Sequence, residues 1–471
     1  MQFLDRIDER KRLTEFLDSA DGGFACLYGR RRCGKTRLLE ECLAGRDNAF
    51  YYLADRTERS AQISRFVREI AKKCPAMMAA DGRDWGMVLD LWVAVTPPHS
   101  VIVLDEFPFL AEKDDALTSI LQRLIDANRA TARKIIICGS SQRMMQGFVL
   151  KASEPLYGRA KVILPITPLE FEWLKIAFPK ATAFERLRLW AVWGGVPRYW
   201  ELQSKYKDPI DALREEVYSP LGVLRNEPEH LLLDDVGDVA QASTVLSFIG
   251  EGVHRVSELA GRLGRPVTDM TRPIKRLVDL GLIVKDSPFG EGEKSKRSFY
   301  RIADRFLDFW FTFVRPNWSC ATYLTDKNSS AQFEVAFQTY LGKIWEDLVR
   351  SVLSRRRLPC VDCEWRKVGR WWGSGVNRQP MEIDIVAESS DGRTLLVGEA
   401  KLKLTAKEYE HELSELKVKA KLLPFAKDYE RIIVKMFVAQ GGEFDCVDLN
   451  WLLDFNRNGT ELLDSGGAGA D

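Results

Sequence analysis

The sequence predicts an α/β protein of several domains, with a parallel sheet near its front and a second α/β unit near its end. Three observations predict it. The chain has 471 residues, too many for one hydrophobic core, so three or four domains are expected. From Phe24, FACLYGRRRCGKTRLLEECL runs as apolar strand, glycine-bearing loop and helix. From Glu382 to Lys401, EIDIVAESSDGRTLLVGEAK alternates acidic with apolar residues, turns, and resumes as a second apolar run.

Composition narrows the class. Apolar residues at 45% and charged residues at 29% are the balance of a globular chain rather than a disordered one. The 69 Lys and Arg offset the 68 Asp and Glu, so any nucleic-acid contact must come from local basic patches. No apolar run reaches the length of a membrane span, and no basic-then-apolar leader opens the chain. The expectation is a cytoplasmic protein with no membrane partner. Nine cysteines without framework spacing fit reduced thiols. Cys360 and Cys363 form one Cys-x-x-Cys, but a zinc site needs a second pair or nearby His, so both read as structural.

Phe24 to Tyr28 is short and apolar, as a buried strand should be. The loop Gly29, Arg30, Arg31, Arg32, Cys33, Gly34, Lys35, Thr36 then fits G-x-x-x-x-G-K-T. Its glycines let backbone N–H groups wrap phosphates, Lys35 reaches the β- and γ-phosphates, and Thr36 offers a hydroxyl to Mg²⁺. This is a P-loop, and ATP is the expected ligand. SVIVLDEFPFL reads as a buried parallel strand whose carboxyl end faces a ligand crevice. There Asp105 is expected to hold Mg²⁺ through water and Glu106 to polarise the attacking water. KIIICGSS is a third such strand and ends at Ser140, a candidate neighbour of the γ-phosphate.

The order of these features resembles the archaeal-type ATPases of the STAND branch of AAA-like P-loop proteins. The residues carrying the resemblance are Phe3, Arg6 and Glu9 of FLDRIDERKRL, the loop GRRRCGKTRLL, and the blocks LYGRA and GGVPRY. Cys33 stands where an aliphatic residue is more usual. The resemblance implies that Arg159 senses or stabilises the γ-phosphate, in cis or on a neighbouring copy. It also implies that Pro197 lies in a helical lid near the nucleotide.

Residues 166–235 carry Leu, Trp, Glu and Arg at helical spacing and read as that lid. A helix from Val256, a turn at Gly264, a second helix from Val267 to Leu280, and two strands flanking a Gly-rich basic tip then read as a winged helix-turn-helix. Arg272, Lys275 and Arg276 on the second helix, with Lys294, Lys296 and Arg297 on the wing, are the candidate DNA contacts. The other reading is a winged helix used as a spacer or protein contact. DRFLDFWFTFVRPN is too aromatic for a solvated helix, and Phe306, Phe309, Trp310, Phe311 and Phe313 are expected in a core.

FEVAFQTYLGKIWEDLVRSVL is an amphipathic helix with Glu346 near its middle. Beyond it, residues two apart on a strand share a face, so Glu382 and Asp384 point one way and Glu399 and Lys401 share a face of the next strand. Paired as a hairpin, these strands bring Asp384, Glu399 and Lys401 together. Two carboxylates and a lysine suit Mg²⁺-dependent phosphodiester cleavage, with Mn²⁺ as an alternative ion. Asp384 and Glu399 would bind the metal, and Lys401 would orient water or stabilise charge. Glu399-x-Lys401 lies fifteen positions beyond Asp384. This pattern resembles the PD-(D/E)XK restriction-endonuclease-like superfamily, in which Glu346 matches the first-helix acid and metal ligand; Ile383 stands where proline is usual. GKIWEDLVR, GRWW, EIDIV and GEAK also resemble the C-terminal domain of unknown function that often follows archaeal-type ATPase modules.

The domains expected are a P-loop core at 1–165, a helical lid at 166–235, a winged helix-turn-helix at 236–325, a nuclease-like domain at 330–459 and a disordered Gly-rich tail at 460–471. The expected function is an ATP-hydrolysing switch controlling a fused Mg²⁺-dependent nuclease-like effector on nucleic acid, DNA being favoured. Analogy places it in defence or mobile-element biology. The rival is a nucleotide-regulated DNA- or protein-binding regulator with an inactive nuclease fold. Self-association and a protein trigger stay open.

Overall fold

The structure is a computed structural model. It describes residues 3–454 apart from 81–83, 128–131, 237, 293–294, 296, 319–323, 325–326, 356, 359–360, 362 and 443. The tail at 460–471 and Cys360, and with it the Cys-x-x-Cys pairing, lie outside the described residues.

The chain forms two compact units. One comprises Met1–Leu169, Val196–Glu201 and Asn226–Val239; the other comprises Glu170–Gly195, Leu202–Arg225 and the chain from Ala240 onward. The helices of the 166–235 stretch are thus shared between the two.

The first unit holds five parallel strands: β1 (Gly23–Tyr28), β2 (Ala49–Leu53), β3 (Val101–Asp105), β4 (Lys134–Gly139) and β5 (Ala160–Pro165), in the order β2-β3-β4-β1-β5. β3 and β4 are buried at every position, which is why they read as unbroken apolar runs. Helices pack on the sheet through Phe66, Trp85, Trp92, Phe107 and Leu121, all fully buried. Because neighbouring strands run the same way, the turns after β1, β3 and β4 open at one edge of the sheet.

In the second unit, helices Val256–Arg262 and Val267–Asp279 precede an antiparallel pair, β6 (Ile283–Asp286) and β7 (Phe299–Ile302). This is a helix-turn-helix with a wing. Met270, Ile274 and Leu277 form the buried stripe of the second helix. Phe306, Phe309, Trp310, Phe311 and Phe313 are buried, and the rings of Phe309 and Phe313 meet Phe333, Phe337 and Tyr340 of the long helix Lys327–Leu353. They are core rather than an exposed stacking surface. A mixed sheet follows: β8 (Trp365–Ser374), β9 (Pro380–Ser389), β10 (Thr394–Lys401), β11 (Arg431–Val438) and β12 (Cys446–Val447), ordered β12-β11-β10-β9-β8. β8, β9 and β10 are antiparallel, whereas β11 pairs in parallel with both β10 and β12. Among the described residues no helix is long and apolar enough to cross a membrane.

Candidate functional site

The first site forms at the carboxyl edge of the parallel sheet. β1 ends at Tyr28, and the chain turns through Gly29 to Gly34 into the helix Lys35–Leu43. A Cβ on Gly29 would stand 2.1 Å from the carbonyl oxygen of Ile166, so only glycine lets the loop pass that closely. Gly34 has φ 92, which glycine adopts without strain, and it starts the helix. Gly29→Ala should therefore lower stability by about 1–3 kcal/mol, the usual penalty for overpacking, because the β1–β5 junction must part. A denaturant midpoint equal to wild type would refute this.

Lys35 is buried, and its ammonium donates to the carbonyls of Gly29 (2.7 Å) and Arg30 (3.1 Å). Thr36 Oγ1 donates to Asp105 Oδ2 at 3.0 Å. The same oxygen accepts from Tyr51, a β2 residue with no motif to announce it. Burial, and then the Asp105 charge, push the Tyr51 phenol up, so it stays a neutral donor. Glu106 follows with φ 52, a left-handed conformation that is strained in a residue other than glycine. Its Oε2 accepts from Ser140 Oγ at 2.9 Å and Ser140 N at 3.2 Å. Asp105, Glu106 and Ser140, from two adjacent strand ends, thus form one hydrogen-bonded group behind the loop.

The loop arginines are engaged differently from Lys35. Arg30 donates to Tyr199 Oη at 2.9 Å, Tyr199 donates to Glu227 Oε1 at 2.8 Å, and Arg32 meets the same carboxylate oxygen at 2.8 Å. Tyr199 and Glu227 are buried. At the far end of the helix Glu227–Asp235, Asp235 accepts from Ser141 Oγ at 2.9 Å and from the Arg143 N–H at 3.2 Å. Burial raises its pKa, opposed by these two bonds. One helix therefore grips the P-loop at its start and the β4 turn at its end.

Arg6 also explains itself. It is buried, pairs with Glu9 at 3.0 Å, and donates to the carbonyls of Cys33 (3.1 Å) and Thr167. A cavity of about 450 Å³ opens beside the loop, lined among others by Phe3, Lys35, Thr36, Glu106 and Pro197. Cys33 lines it too, through a fully buried residue whose thiol burial pushes up. Arg159 does not line it; its guanidinium makes a bidentate pair with Asp126, Nε to Oδ1 at 3.2 Å and Nη2 to Oδ2 at 2.9 Å.

The second site lies on β9 and β10. Their register pairs Gly398 with Ile385, which places Asp384 opposite Glu399. Asp384 Oδ2 accepts from the Ala400 N–H at 3.0 Å. Glu399 Oε1 meets Lys401 at 3.2 Å, and its Oε2 meets Lys419 at 3.5 Å. Arg350 donates to the Asp384 carbonyl at 2.7 Å, pairs with Asp347 at 2.5 Å, and stands 3.6 Å from Glu346. Burial raises all three acids; the Asp384 charge adds to this at Glu346, pushed up to about 7, and at Glu399. Burial opposes the charge on Lys401, but Glu399, Glu412 and Asp384 outweigh it and hold the ammonium above its ordinary range. Among the described residues no group of three His, Cys, Asp or Glu side chains is drawn closely enough together to hold a metal ion as it stands. The acids are instead paired with cations, Glu399 with Lys401 and Lys419, and Glu346 with Arg350.

Of the candidate DNA contacts, Arg272 and Lys275 are exposed and Arg276 is half-buried, all at helical spacing on one face of Val267–Asp279. Arg297 pairs with Glu291 and donates to the Trp372 carbonyl of β8 at 3.1 Å. Lys294 and Lys296 lie outside the described residues.

Comparison with known proteins fits this geometry. Residues 3–201 match the family described as an ATPase domain predominantly from Archaea. An uncharacterized protein of Methanocaldococcus jannaschii is 32% identical over 433 residues, covering 91% of this chain and 94% of its own. The chain belongs to the archaeal-type ATPase family. Residues 310–413 of this archaeal-type ATPase also match a family described as archaea bacterial proteins of unknown function. A Walker-type ATPase of Pyrococcus abyssi has a similar fold, with a TM-score of 0.50 at 19% identity over 66% of this chain and 96% of that one.

Proposed function

We propose that this archaeal-type ATPase is an ATP-hydrolysing switch, and that its C-terminal domain is a Mg²⁺-dependent nuclease-like effector acting on nucleic acid, DNA before RNA. One observation carries the effector half: Asp384, Glu399 and Lys401 converge on a β-hairpin, with Glu346 near enough for the Asp384 charge to raise its carboxyl. Carboxylates that raise one another's pKa are what a divalent cation relieves. Glu399 Oε2 is buried and accepts no hydrogen bond among the described residues, having only the Lys419 ammonium at 3.5 Å, which suits a ligand oxygen. Two carboxylates with several waters are enough for Mg²⁺, so the Asp384–Glu399 pair fits it. Such an ion polarises a phosphodiester and lowers the pKa of bound water. Lys401 would hold charge beside it.

In the ATPase half, Thr36 and Asp105 are hard-oxygen donors already hydrogen-bonded to each other, which fits Mg²⁺. Lys35 would bind phosphate oxygens in place of its loop carbonyls, and Glu106 would orient water. Arg159 would reach a nucleotide only by leaving Asp126, or by serving another copy of the chain.

Incubating the protein with plasmid, linear duplex and RNA, with Mg²⁺ or Mn²⁺ and with or without ATP, tests the reading. If no condition yields cleavage and calorimetry finds no metal bound in the C-terminal unit, the regulator reading replaces it. Divalent-ion affinity should also rise as pH increases through about 7, where Glu346 gives up its proton. A flat pH profile would remove Glu346 from the ligand set.

The regulator reading has its own support. The Phe289 N–H donates to the Arg370 carbonyl at 2.8 Å, and Arg297 bonds to Trp372, so the wing is engaged with β8. If the winged helix binds DNA, the contact runs through Arg272 and Lys275. Replacing both with alanine should flatten the salt dependence of DNA affinity by about two phosphate contacts. An unchanged slope in a salt titration would leave the winged helix as a protein contact only.

A further inference from the structure

We propose that Arg370 is a phosphodiester-binding residue, gripping a nucleic-acid strand beside the C-terminal carboxylates. The proposal rests on the nuclease-like reading of that site and names the part of the substrate recognised there.

Arg370 lies on β8, with its guanidinium 4.2 Å from the ring centre of Phe299 and 4.9 Å from that of Trp372. Its side chain is only 23% exposed. Its ion-pair partner is Glu382, whose Oε1 stands 3.8 Å away, beyond hydrogen-bond reach. Its Nε is buried and has no hydrogen-bond partner among the described residues. A guanidinium stays charged and carries five donors, so a buried one without an acceptor needs an explanation.

The surroundings sharpen the point. Arg350, whose charge acts on Arg370, is paired with Asp347 at 2.5 Å, as is Arg305 at 2.7 Å. Asp347 also takes Arg301 at 3.3 Å, so this acid serves three arginines, while Arg370 has two aromatic faces and the looser Glu382 pair. Burial, followed by the like charge of Arg350, disfavours charge on Arg370. Glu382 lies two positions before Asp384 on β9, so the Glu382 pair puts Arg370 on the face of the sheet that carries Asp384. An anion arriving there meets a cation that is largely desolvated, packed against two rings, and without a close hydrogen-bond acceptor among the described residues. A phosphodiester suits this best, because two of its oxygens can accept from the planar fork at once.

The test uses the full chain with Ca²⁺ replacing Mg²⁺, so that binding is read without cleavage. Labelled single- and double-stranded oligonucleotides are titrated against wild type, Arg370→Leu and Arg370→Lys, with inorganic phosphate as competitor. Arg370→Leu should weaken oligonucleotide affinity at least tenfold and reduce the salt slope by about one. Arg370→Lys should restore the slope but not the affinity, since a lysine cannot donate as a fork. Competition by phosphate alone at micromolar concentration would assign the residue to a small anion and overturn the nucleic-acid claim. So would a wild type that binds no oligonucleotide, or an Arg370→Leu that binds as tightly while losing thermal stability, the mark of a purely structural role. Metal binding by wild type and Asp384→Ala, measured in parallel, judges the nuclease-like reading separately.

Discussion

Lys35→Ala is expected to lower ATP affinity by at least about a hundredfold, whereas Glu106→Gln is expected to bind ATP as wild type does and hydrolyse it at least about a hundredfold more slowly. The two variants separate because the residues meet different partners. Lys35 holds the one P-loop ammonium, and among the described residues it is bonded only to loop carbonyls at 2.7 and 3.1 Å, so it can pass to phosphate oxygens at little cost. Arg30 and Arg32 cannot replace it without breaking their bonds to Tyr199 and Glu227. Glutamine at 106 keeps an acceptor for both Ser140 donors, so the turn holds while the charge that activates water is lost. Equilibrium binding of a fluorescent ATP analogue and steady-state phosphate release measure the two effects. Wild-type turnover in Glu106→Gln would strike Glu106 from the catalytic residues.

Asp384→Ala should abolish metal-dependent cleavage and leave ATP hydrolysis within about twofold of wild type. Asp384→Asn is the control, because it retains an acceptor for the Ala400 N–H that the carboxylate now satisfies at 3.0 Å. Lys401→Ala should abolish cleavage but weaken metal binding less, since an ammonium is no metal ligand. A readout independent of activity follows from the electrostatics. Burial is the main reason Glu346 is raised to about 7, and the Asp384 charge is the next. Removing that charge should bring the Glu346 pKa partway down toward the ordinary range. The sign of the stability effect is fixed by linkage. A carboxyl whose pKa is higher folded than unfolded favours the folded chain at low pH and loses that contribution as pH rises toward about 7. Asp384→Ala should therefore flatten the fall in stability between about pH 5 and 7. If Asp384→Ala and Lys401→Ala both cut at the wild-type rate, the cleavage resides elsewhere.

What could be read from the sequence was local. Gly29 to Thr36, the apolar runs of β3 and β4, and the period-2 faces of β9 and β10 are properties of short windows, and a window carries them. The helix-turn-helix was legible because Gly264 breaks two amphipathic helices whose buried positions recur at 3.6-residue spacing. The partners of these elements were not. Nothing near Tyr51 signals that β2 lies beside β3 and delivers its hydroxyl to Asp105. Glu227 is one of two acids in a helical first turn, an ordinary place for acids, and its hold on Arg32 spans 195 positions of chain. Three successive arginines in a P-loop look like phosphate ligands; that two of them face Tyr199 and Glu227 is decided by packing. Arg350 and Arg370 sit in unremarkable stretches and matter only through what folds against them.

The contacts that shape the phosphate loop also set an order of assembly. The strand β1, the loop and the helix after it lie within residues 23–43, yet the loop is completed from a distance. Gly29 is shaped against Ile166, whose N–H donates back to Tyr28 at 2.7 Å, and Arg6, bonded to Cys33, also reaches Thr167, 161 positions away. On a chain emerging from the ribosome, the loop sequence therefore precedes its supports by more than a hundred residues. Closing so long a segment is entropically slow to begin, so the nucleotide site should be among the last features of this unit to mature. A nascent chain halted before β5 would display the complete motif without a finished phosphate cradle.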